Sequence, residues 1–185
     1  MIDPKISESQ AHHVAGHWVA RNVSWLKSII RITLGVAWLF DGYLKFQPGM
    51  IEALPGFVTT AKYGQPSWLQ PWFNFWSQLA SSNPVLFAYT IGPIEVALGL
   101  ALVIGFMRKI VYICGFFFSL LIWSVPEGFG GPYTASTTDI GTGIVYSFVF
   151  LSLIMINALS GPSKYSLDYY LEHRYSSWKR FAEFN

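Results

Sequence analysis

Residues 38–49 read Trp38-Leu39-Phe40-Asp41-Gly42-Tyr43-Leu44-Lys45-Phe46-Gln47-Pro48-Gly49. The first half of this stretch continues an apolar run, and the Pro-Gly pair at its end is a sequence at which helices stop. Asp41 and Lys45 are four residues apart, so they would share one face of a helix. An acid and a base near the end of a membrane helix are costly to place there, which makes them functional candidates by default. The stretch therefore predicts a membrane helix that carries part of a site.

The composition indicates a membrane protein. Of the 185 residues, 52% are hydrophobic and only 12% are charged, whereas a soluble domain usually carries about 25% charged residues. The aromatic fraction is 18%, with eight Trp, and Trp and Tyr are typical of the two interfaces of a bilayer. The net charge of +2 and the absence of a long basic run argue against nucleic acid as a partner. We therefore expect the lipid bilayer to be the main partner.

The apolar segments predict an all-α fold, an integral membrane four-helix bundle. Four segments are apolar enough for membrane helices, at about residues 25–46, 84–107, 110–125 and 140–159. The long loop over 47–83 contains Trp68, Trp72 and Trp76 at helical spacing. This spacing predicts an amphipathic helix over 67–80 that lies in the membrane interface. A cap that contacts a quinone is the alternative interpretation of the same helix.

The distribution of charge divides the chain into three parts. Residues 1–24 form a polar N-terminal extension, cytoplasmic or interfacial, residues 25–160 form the membrane domain, and residues 161–185 form an amphipathic tail. The basic residues gather in the N-terminal segment, at Arg108-Lys109 and in the tail, which fall on one side of a four-helix topology. The positive-inside rule then predicts a multi-pass protein of the cell (cytoplasmic) membrane with both termini cytoplasmic.

This topology brings charged residues that are distant in sequence to one end of the bundle. Asp41, Lys45, Glu127 and Asp139 all fall at the outer end, and Glu95 lies below them. We take Asp41, Lys45 and Glu95 as candidate catalytic residues, with Asp41 and Lys45 as an ion pair. For Asp139, which precedes the fourth helix, an N-cap is the favoured interpretation.

Glu95 lies inside the second predicted helix. Counting about 1.5 Å per residue from Pro84 places it roughly 16 Å into a hydrocarbon core of about 30 Å. Gly92 and Gly99 share its helix face, so the carboxyl group is expected to point into a helix contact. Two interpretations stay open: a structural carboxyl held by Arg31, Tyr or Ser, and a group that handles protons or binds a ligand.

The chain contains no motif for a resident cofactor, and no metal site is predicted. A membrane haem needs axial ligands inside the bundle, and the four histidines lie outside the predicted membrane helices, at His12, His13, His17 and His173. The pair His13 and His17 lacks the further ligands of a metal site. A role in electron transfer would therefore require a diffusible carrier such as a quinone, or a partner that holds the cofactor.

Several motifs together resemble the DoxX/DoxD superfamily over about residues 25–160. They are Arg31-x3-Gly35, Phe40-Asp-Gly-x2-Lys45-Phe-Gln-Pro-Gly49, Pro93-x-Glu95-x3-Gly99-x2-Leu102-x2-Gly105, Pro126-Glu-Gly-Phe-Gly-Gly131 and Thr138-Asp139. The resemblance is closest to the DoxD type, the small subunit of thiosulfate:quinone oxidoreductase. It implies a membrane subunit that oxidises a sulfur compound on the outer face and passes the electrons to quinone, together with a second subunit.

The outer cluster fits an anion site in part, because Lys45 and the amides of residues 128–131 could hold a thiosulfate dianion. The candidate residues for binding substrate or quinone are Arg31, Asp41, Lys45, Glu95, Glu127, Gly130, Gly131 and Asp139. The alternative function is a non-catalytic accessory subunit of a larger membrane respiratory or redox complex, in which these charges form structural pairs. A transporter is disfavoured because the two halves show no inverted repeat.

Overall fold

The computed structural model describes residues 4–133, 139–161 and 163–184, with side chains from residue 22 onward. Within these ranges the chain forms helices and no strands. The α-helices are α1 Pro4–Leu44, α2 Pro48–Thr60, α3 Gln70–Ser82, α4 Pro84–Ile104, α5 Arg108–Ser124, α6 Thr142–Ser160, α7 Leu167–Arg174 and α8 Lys179–Ala182. Short 3₁₀ turns occupy Ser67–Leu69, Gly128–Gly130 and Ser176–Trp178.

Three segments of the described chain are long and apolar enough to cross a membrane. They are Asn22–Leu44 in α1, Pro84–Ile104 and Thr142–Ser160. Only 33%, 33% and 28% of their apolar windows are buried inside the protein. Most of this apolar surface would face water in a soluble protein, so the prediction of a membrane protein is confirmed.

The helices pack as two pairs. α1 packs mainly along α4 and α5 mainly along α6, and contacts of α1 with α6 and of α4 with α5 join the pairs. α5 runs back across the bundle, because its first residue, Arg108, contacts α7, whereas Trp123 near its end contacts Gly143 at the start of α6. We call the end of the bundle that carries residues 45–83 and 125–141 the loop end, and the other end the Arg108 end.

Glycines allow α1 and α4 to approach closely. A Cβ atom added to Gly99 would lie 2.8 Å from the carbonyl oxygen of Gly35, and one added to Gly42 would lie 3.1 Å from that of Gly92. Close backbone approach through small residues is the usual way in which membrane helices associate. The predicted helix contact at Gly92 and Gly99 of the second helix is therefore confirmed.

An apolar layer crosses the middle of the bundle. Each of its members is at most 8% exposed, and they are Leu34, Trp38, Leu98, Leu102, Tyr112, Phe150 and Leu153. Charged residues lie on both sides of this layer: Asp41, Lys45 and Glu95 toward the loop end, and Arg31 and Arg108 toward the other. The layer thus separates two polar regions.

The prediction of a long loop over 47–83 is wrong, because the segment folds into α2 and α3. α1 ends at Leu44, as the Pro-Gly pair indicated, but Pro48 then begins a new helix at a first-turn position, where the missing N–H of proline is no loss. Pro55 lies inside α2. α3 follows the Trp spacing that predicted a helix there.

The first helix begins well before the predicted membrane segment. α1 is continuous from Pro4, so no break separates the predicted extension over 1–24 from the first membrane helix. The predicted surface character of residues 4–21 concerns side chains outside the described part of the chain.

The C-terminal segment folds back onto the Arg108 end of the bundle, a contact that the sequence did not predict. The Arg108 guanidinium binds the carboxylates of Asp168 at 3.0 Å and Glu172 at 2.8 Å, and it also contacts Glu183. The Trp178 indole donates to Asp168 at 2.9 Å. The buried Arg108 side chain therefore binds three acidic residues of one segment. We call this segment, residues 163–184, the C-terminal clamp.

The prediction that Asp139 caps α6 is wrong. The helix begins at Thr142 rather than Ile140, and Asp139 accepts a hydrogen bond from the Gly141 N–H (2.8 Å) in the preceding loop. The Gly143 N–H instead donates to the two carboxylate oxygens of Glu127, at 2.9 and 3.1 Å. The acid that satisfies free N–H groups of this helix therefore comes from the loop that follows α5.

Candidate functional site

A cavity of about 300 Å³ lies at the loop end of the bundle. All six longer helices contribute to its wall, and most of the lining is apolar: Met50, Leu54, Phe57, Val58, Phe87, Ile91, Phe118, Leu121, Ile122 and Val125. The four charged residues in the wall are Asp41, Lys45, Glu95 and Glu127. The structure therefore brings together, around one space, four of the residues that the sequence analysis selected.

Lys45 and Glu95 form an ion pair across α1 and α4. The Lys45 Nζ lies 3.2 Å from Glu95 Oε2, and the Lys45 and Glu95 side chains are 18% and 2% exposed. The predicted ion pair between Lys45 and Asp41 is wrong: Lys45 reaches only the backbone carbonyl of Asp41, at 3.5 Å. α1 ends at Leu44, so Lys45 leaves the helix face of Asp41, and the small Gly92 lets its side chain cross to α4.

Glu127 lies where the cavity meets the loop between α5 and α6. It is half-buried, and its carboxylate is fixed by the hydrogen bonds from Gly143. Burial raises the pKa of Glu127 above its usual range, the nearby Asp139 and Asp41 add to this, and the backbone N–H groups of Gly143 and Thr142 oppose it. This carboxyl group can therefore take up a proton more readily than an exposed glutamate.

The cavity wall also contains two tryptophans, Trp38 and Trp76, that were not among the predicted site residues. The indole N–H of each is buried and has no hydrogen-bond acceptor in the described part of the chain. A buried donor without a partner costs about 1–3 kcal/mol. Trp38 is only 1% exposed, and its ring makes tilted contacts with those of Phe118 and Tyr146, of which Tyr146 also lines the cavity.

A sequence signal for Trp38 was present. Trp38 and Asp41 are three residues apart and so share a face of α1. Trp76 had been assigned to interface anchoring, and nothing in the sequence pointed to Tyr146.

Arg31 does not belong to the cavity. Its guanidinium donates to the backbone carbonyls of Leu102 at 2.5 Å and Tyr165 at 2.7 Å, at the Arg108 end. The suggestion that Arg31 holds Glu95 is therefore wrong. Arg31 joins α1 to the last turn of α4 and to the C-terminal clamp.

Gly130, Gly131 and Asp139 lie near the cavity but do not line it. Gly131 lines a separate surface groove with Gly64, Trp68 and Tyr133. The predicted anion site, in which Lys45 combines with the amides of residues 128–131, is therefore not assembled in this geometry.

The electrostatic character of the cavity follows from its residues. Three carboxyl groups face one ammonium group, so the wall is rich in acids and repels anions. Within the described residues no three His, Cys, Asp or Glu side chains are grouped to hold a metal ion. His12, His13 and His17 lie outside the described side chains.

Comparison with known families adds to this geometry. The family model that matches is DoxX, over residues 26–127, which is more than half of the chain. The chain belongs to the DoxX family. The DoxX match begins within the first membrane span and ends at Glu127, so it includes all four charged residues of the cavity. No curated protein and no solved structure shows significant similarity to this DoxX-family chain.

Proposed function

We propose that this chain is a membrane subunit of a quinone-linked oxidoreductase and that the cavity at the loop end binds the quinone. One observation carries the proposal: an apolar cavity has two buried indole N–H groups in its wall, those of Trp38 and Trp76, without acceptors among the described residues. A quinone headgroup is a flat apolar ring with two carbonyl oxygens, so it supplies the acceptors that these donors lack.

The size and position of the cavity suit such a ligand. A volume of about 300 Å³ is at the lower end of the range for small-molecule sites, which fits a ring headgroup without its tail. Phe57 lines the cavity and is 48% exposed, so the wall reaches the outer surface of the bundle there. An isoprenoid tail would leave the cavity past this residue and continue into lipid.

The charges favour a neutral ligand over an anion. The ammonium group of Lys45 is already paired with Glu95, and Asp41 and Glu127 would repel a thiosulfate dianion. We therefore propose that the sulfur compound is oxidised on the outer face by or with a second subunit, and that this chain receives only the electrons. Oxidation of thiosulfate comes from the resemblance to the DoxD type.

The proposed arrangement in the membrane has four spanning helices. α5 has 17 residues, about 26 Å at 1.5 Å per residue, and its antiparallel course between α4 and α6 suits a fourth span. Both termini would then be cytoplasmic, in the cytoplasmic membrane. α3 would lie in the outer interface, where its exposed Trp72, Phe75 and Leu79 meet the headgroups.

The first experiment is a purification from native membranes in a gentle detergent. Mass spectrometry identifies the co-purifying proteins, and quinone reduction is assayed with thiosulfate as donor. Activity with one small partner subunit supports the proposal. Failure of the purified assembly to bind or reduce decylubiquinone would overturn it.

A single substitution tests whether the indole N–H of Trp38 binds the quinone. Trp38→Phe removes the indole N–H and keeps an aromatic ring, so we expect affinity for decylubiquinone to fall about tenfold, the loss of one hydrogen bond of about 1.4 kcal/mol. Trp25→Phe is the matched control, because the Trp25 indole lies outside the cavity and donates to Asn22. Equal quinone affinity of the two variants would show that Trp38 does not bind the ligand.

A non-catalytic accessory subunit is the second candidate, and specific contacts favour it. The Lys45–Glu95 pair ties α1 to α4, and Glu127 caps α6, so these charges also serve the fold. If Glu95→Gln and Lys45→Met each left quinone-linked activity of the assembled complex intact, the charges would be structural. Co-migration with a large cofactor-bearing complex, without thiosulfate activity, would favour this candidate.

A further inference from the structure

We infer that Glu127 is a proton-handling carboxyl group of the cavity and that it passes protons between the bound ligand and water at the loop end. The inference rests on the proposed function, and it assigns to Glu127 a role beside that of the Lys45–Glu95 pair. The geometry that carries it is the position of two carboxyl groups in the cavity wall, one fully buried and the other partly exposed where the wall meets the α5–α6 loop. Glu95 is 1% exposed, whereas Glu127 is half-buried and follows the end of α5.

The chemistry of the ligand requires two protons. A quinone that accepts two electrons from the sulfur compound takes up one proton on each carbonyl oxygen and becomes a quinol. The two oxygens lie on opposite sides of the ring, so two proton donors at different places in the wall serve them better than one. In the ion pair of α1 and α4, the Lys45 ammonium group beside Glu95 carries one proton that can be transferred. The Glu127 carboxyl group of the α5–α6 loop supplies the other, and both groups regain their protons from water.

The apolar layer decides from which side that water comes. Beneath the cavity, Trp38, Leu98 and Phe150 pack with the other members of the layer and leave no charged group between Glu95 and the Arg108 end among the described residues. Proton transfer needs a chain of polar groups or water. The charged groups of the cavity all lie toward the loop end, so we place the entry of both protons there, where Glu127 lies.

The surroundings of Glu127 suit this role. The titratable groups that interact electrostatically with Glu127 are Asp41 of α1, Asp139 of the α5–α6 loop and Tyr146 of α6. Lys45 faces the same cavity. Burial raises the pKa of Glu127 above the usual range, which brings the carboxyl group closer to the pH at which a proton donor is also readily reloaded.

Two substitutions distinguish the role of Glu127 as the cap of α6 from its proposed role in proton transfer. Glu127→Gln keeps a side-chain oxygen that accepts from the Gly143 N–H but carries no acidic proton, whereas Glu127→Ala loses both. Glu52→Gln, an exposed acid of α2, is the matched control. In the assembled complex we expect Glu127→Gln to lower kcat about 100-fold, to leave KM for decylubiquinone nearly unchanged and to alter the pH profile of kcat.

A second measurement does not depend on turnover. The chain in lipid nanodiscs is titrated by infrared spectroscopy between about pH 5 and 9, and the Glu127 carboxyl signal is identified as the one that Glu127→Gln removes. Addition of decylubiquinone should shift this titration in the wild type and in Glu52→Gln.

The outcomes are distinguishable. If decylubiquinone does not bind, the proposed function fails and the inference fails with it. If it binds while the Glu127 signal does not respond, or if Glu127→Gln keeps wild-type kcat and pH profile, the inference alone is overturned.

Discussion

At the scale of single residues, the contact between Lys45 and Glu95 determines how the cavity is held together. Glu95 is nearly inaccessible, and its charge is compensated by an ammonium group from the end of another helix. Removing one partner of a buried pair typically costs more than replacing both, because a charge is left without compensation in a low dielectric. The two residues should therefore respond unequally to substitution.

We expect Lys45→Met to be more destabilising than Glu95→Gln. The first leaves a buried carboxyl group, at a cost of about 3–5 kcal/mol, whereas the second leaves a lysine that is already 18% exposed and can turn toward water. The double variant should be more stable than Lys45→Met alone. Thermal unfolding in one detergent measures all three, and equal losses for the single variants would contradict the contact.

The sequence predicted most of the cavity's charged residues but not their pairing. Asp41, Lys45, Glu95 and Glu127 were selected because acids and bases near or within apolar helices are rare. Which of them form contacts depends on where α1 ends and on the space at Gly92, and both are tertiary details. Trp38 and Trp76 were missed because an indole N–H without an acceptor can be recognised only in three dimensions.

At the scale of helices, the contact between α1 and α4 is a backbone contact. Gly99 faces the Gly35 carbonyl and the Leu39 N–H, each 2.8 Å from where a Cβ would be. Neither backbone atom can move without moving a whole helix. The distance between the two helices is therefore set by the absence of side chains at these positions.

Substituting Gly99→Ala should force the two helices apart. Overpacking of this kind costs about 1–3 kcal/mol, and because the cavity lies between the same helices, quinone affinity should fall as well. Gly56→Ala in α2 is the control, since no atom lies within 4 Å of its added Cβ and alanine favours a helix. A stable Gly99→Ala protein with unchanged quinone affinity would contradict this packing.

The limits of some helices were predicted more accurately than those of others, and the reasons are physical. α4 and α6 lie within a few residues of their predicted limits, because a long apolar run bounded by Pro or Gly has few alternatives. α2 was missed because it contains Pro55 and two glycines, which are typical of loops. Its stability comes from packing of Leu54 and Val58 against the bundle, which local sequence does not reveal.

At the scale of the whole molecule, two polar regions lie on either side of the apolar layer. The cavity occupies the loop end, and Arg108 with its three acids closes the other. The DoxX match ends at Glu127, so the acids that Arg108 binds lie outside it. The sequence did not reveal this contact, because it joins residues 60 to 75 positions apart.

The C-terminal clamp should make stability depend on pH. Burial raises the pKa of Glu183 to about 7 and the Glu172 carboxyl adds to this, although Arg108 opposes it. The folded protein thus holds this proton more tightly than the unfolded chain, so stability should fall as the pH rises from about 4.5 to about 7 and then level off.

Glu183→Gln should remove this part of the slope, which unfolding midpoints across the pH range would measure. Glu52→Gln, far from the clamp, should keep the wild-type slope. A wild-type slope in Glu183→Gln would show that Glu183 is not the group responsible.

The unbroken length of α1 has a mechanical consequence. Its 41 residues make a rod of about 62 Å, roughly twice the thickness of the hydrocarbon core. The last turn of this rod carries Asp41 and leads directly into Lys45. A partner protein that bound the first turns of α1 and tilted them would also move the last turn, because the helix is continuous. Such a partner would change the shape of the cavity wall without contacting the cavity itself.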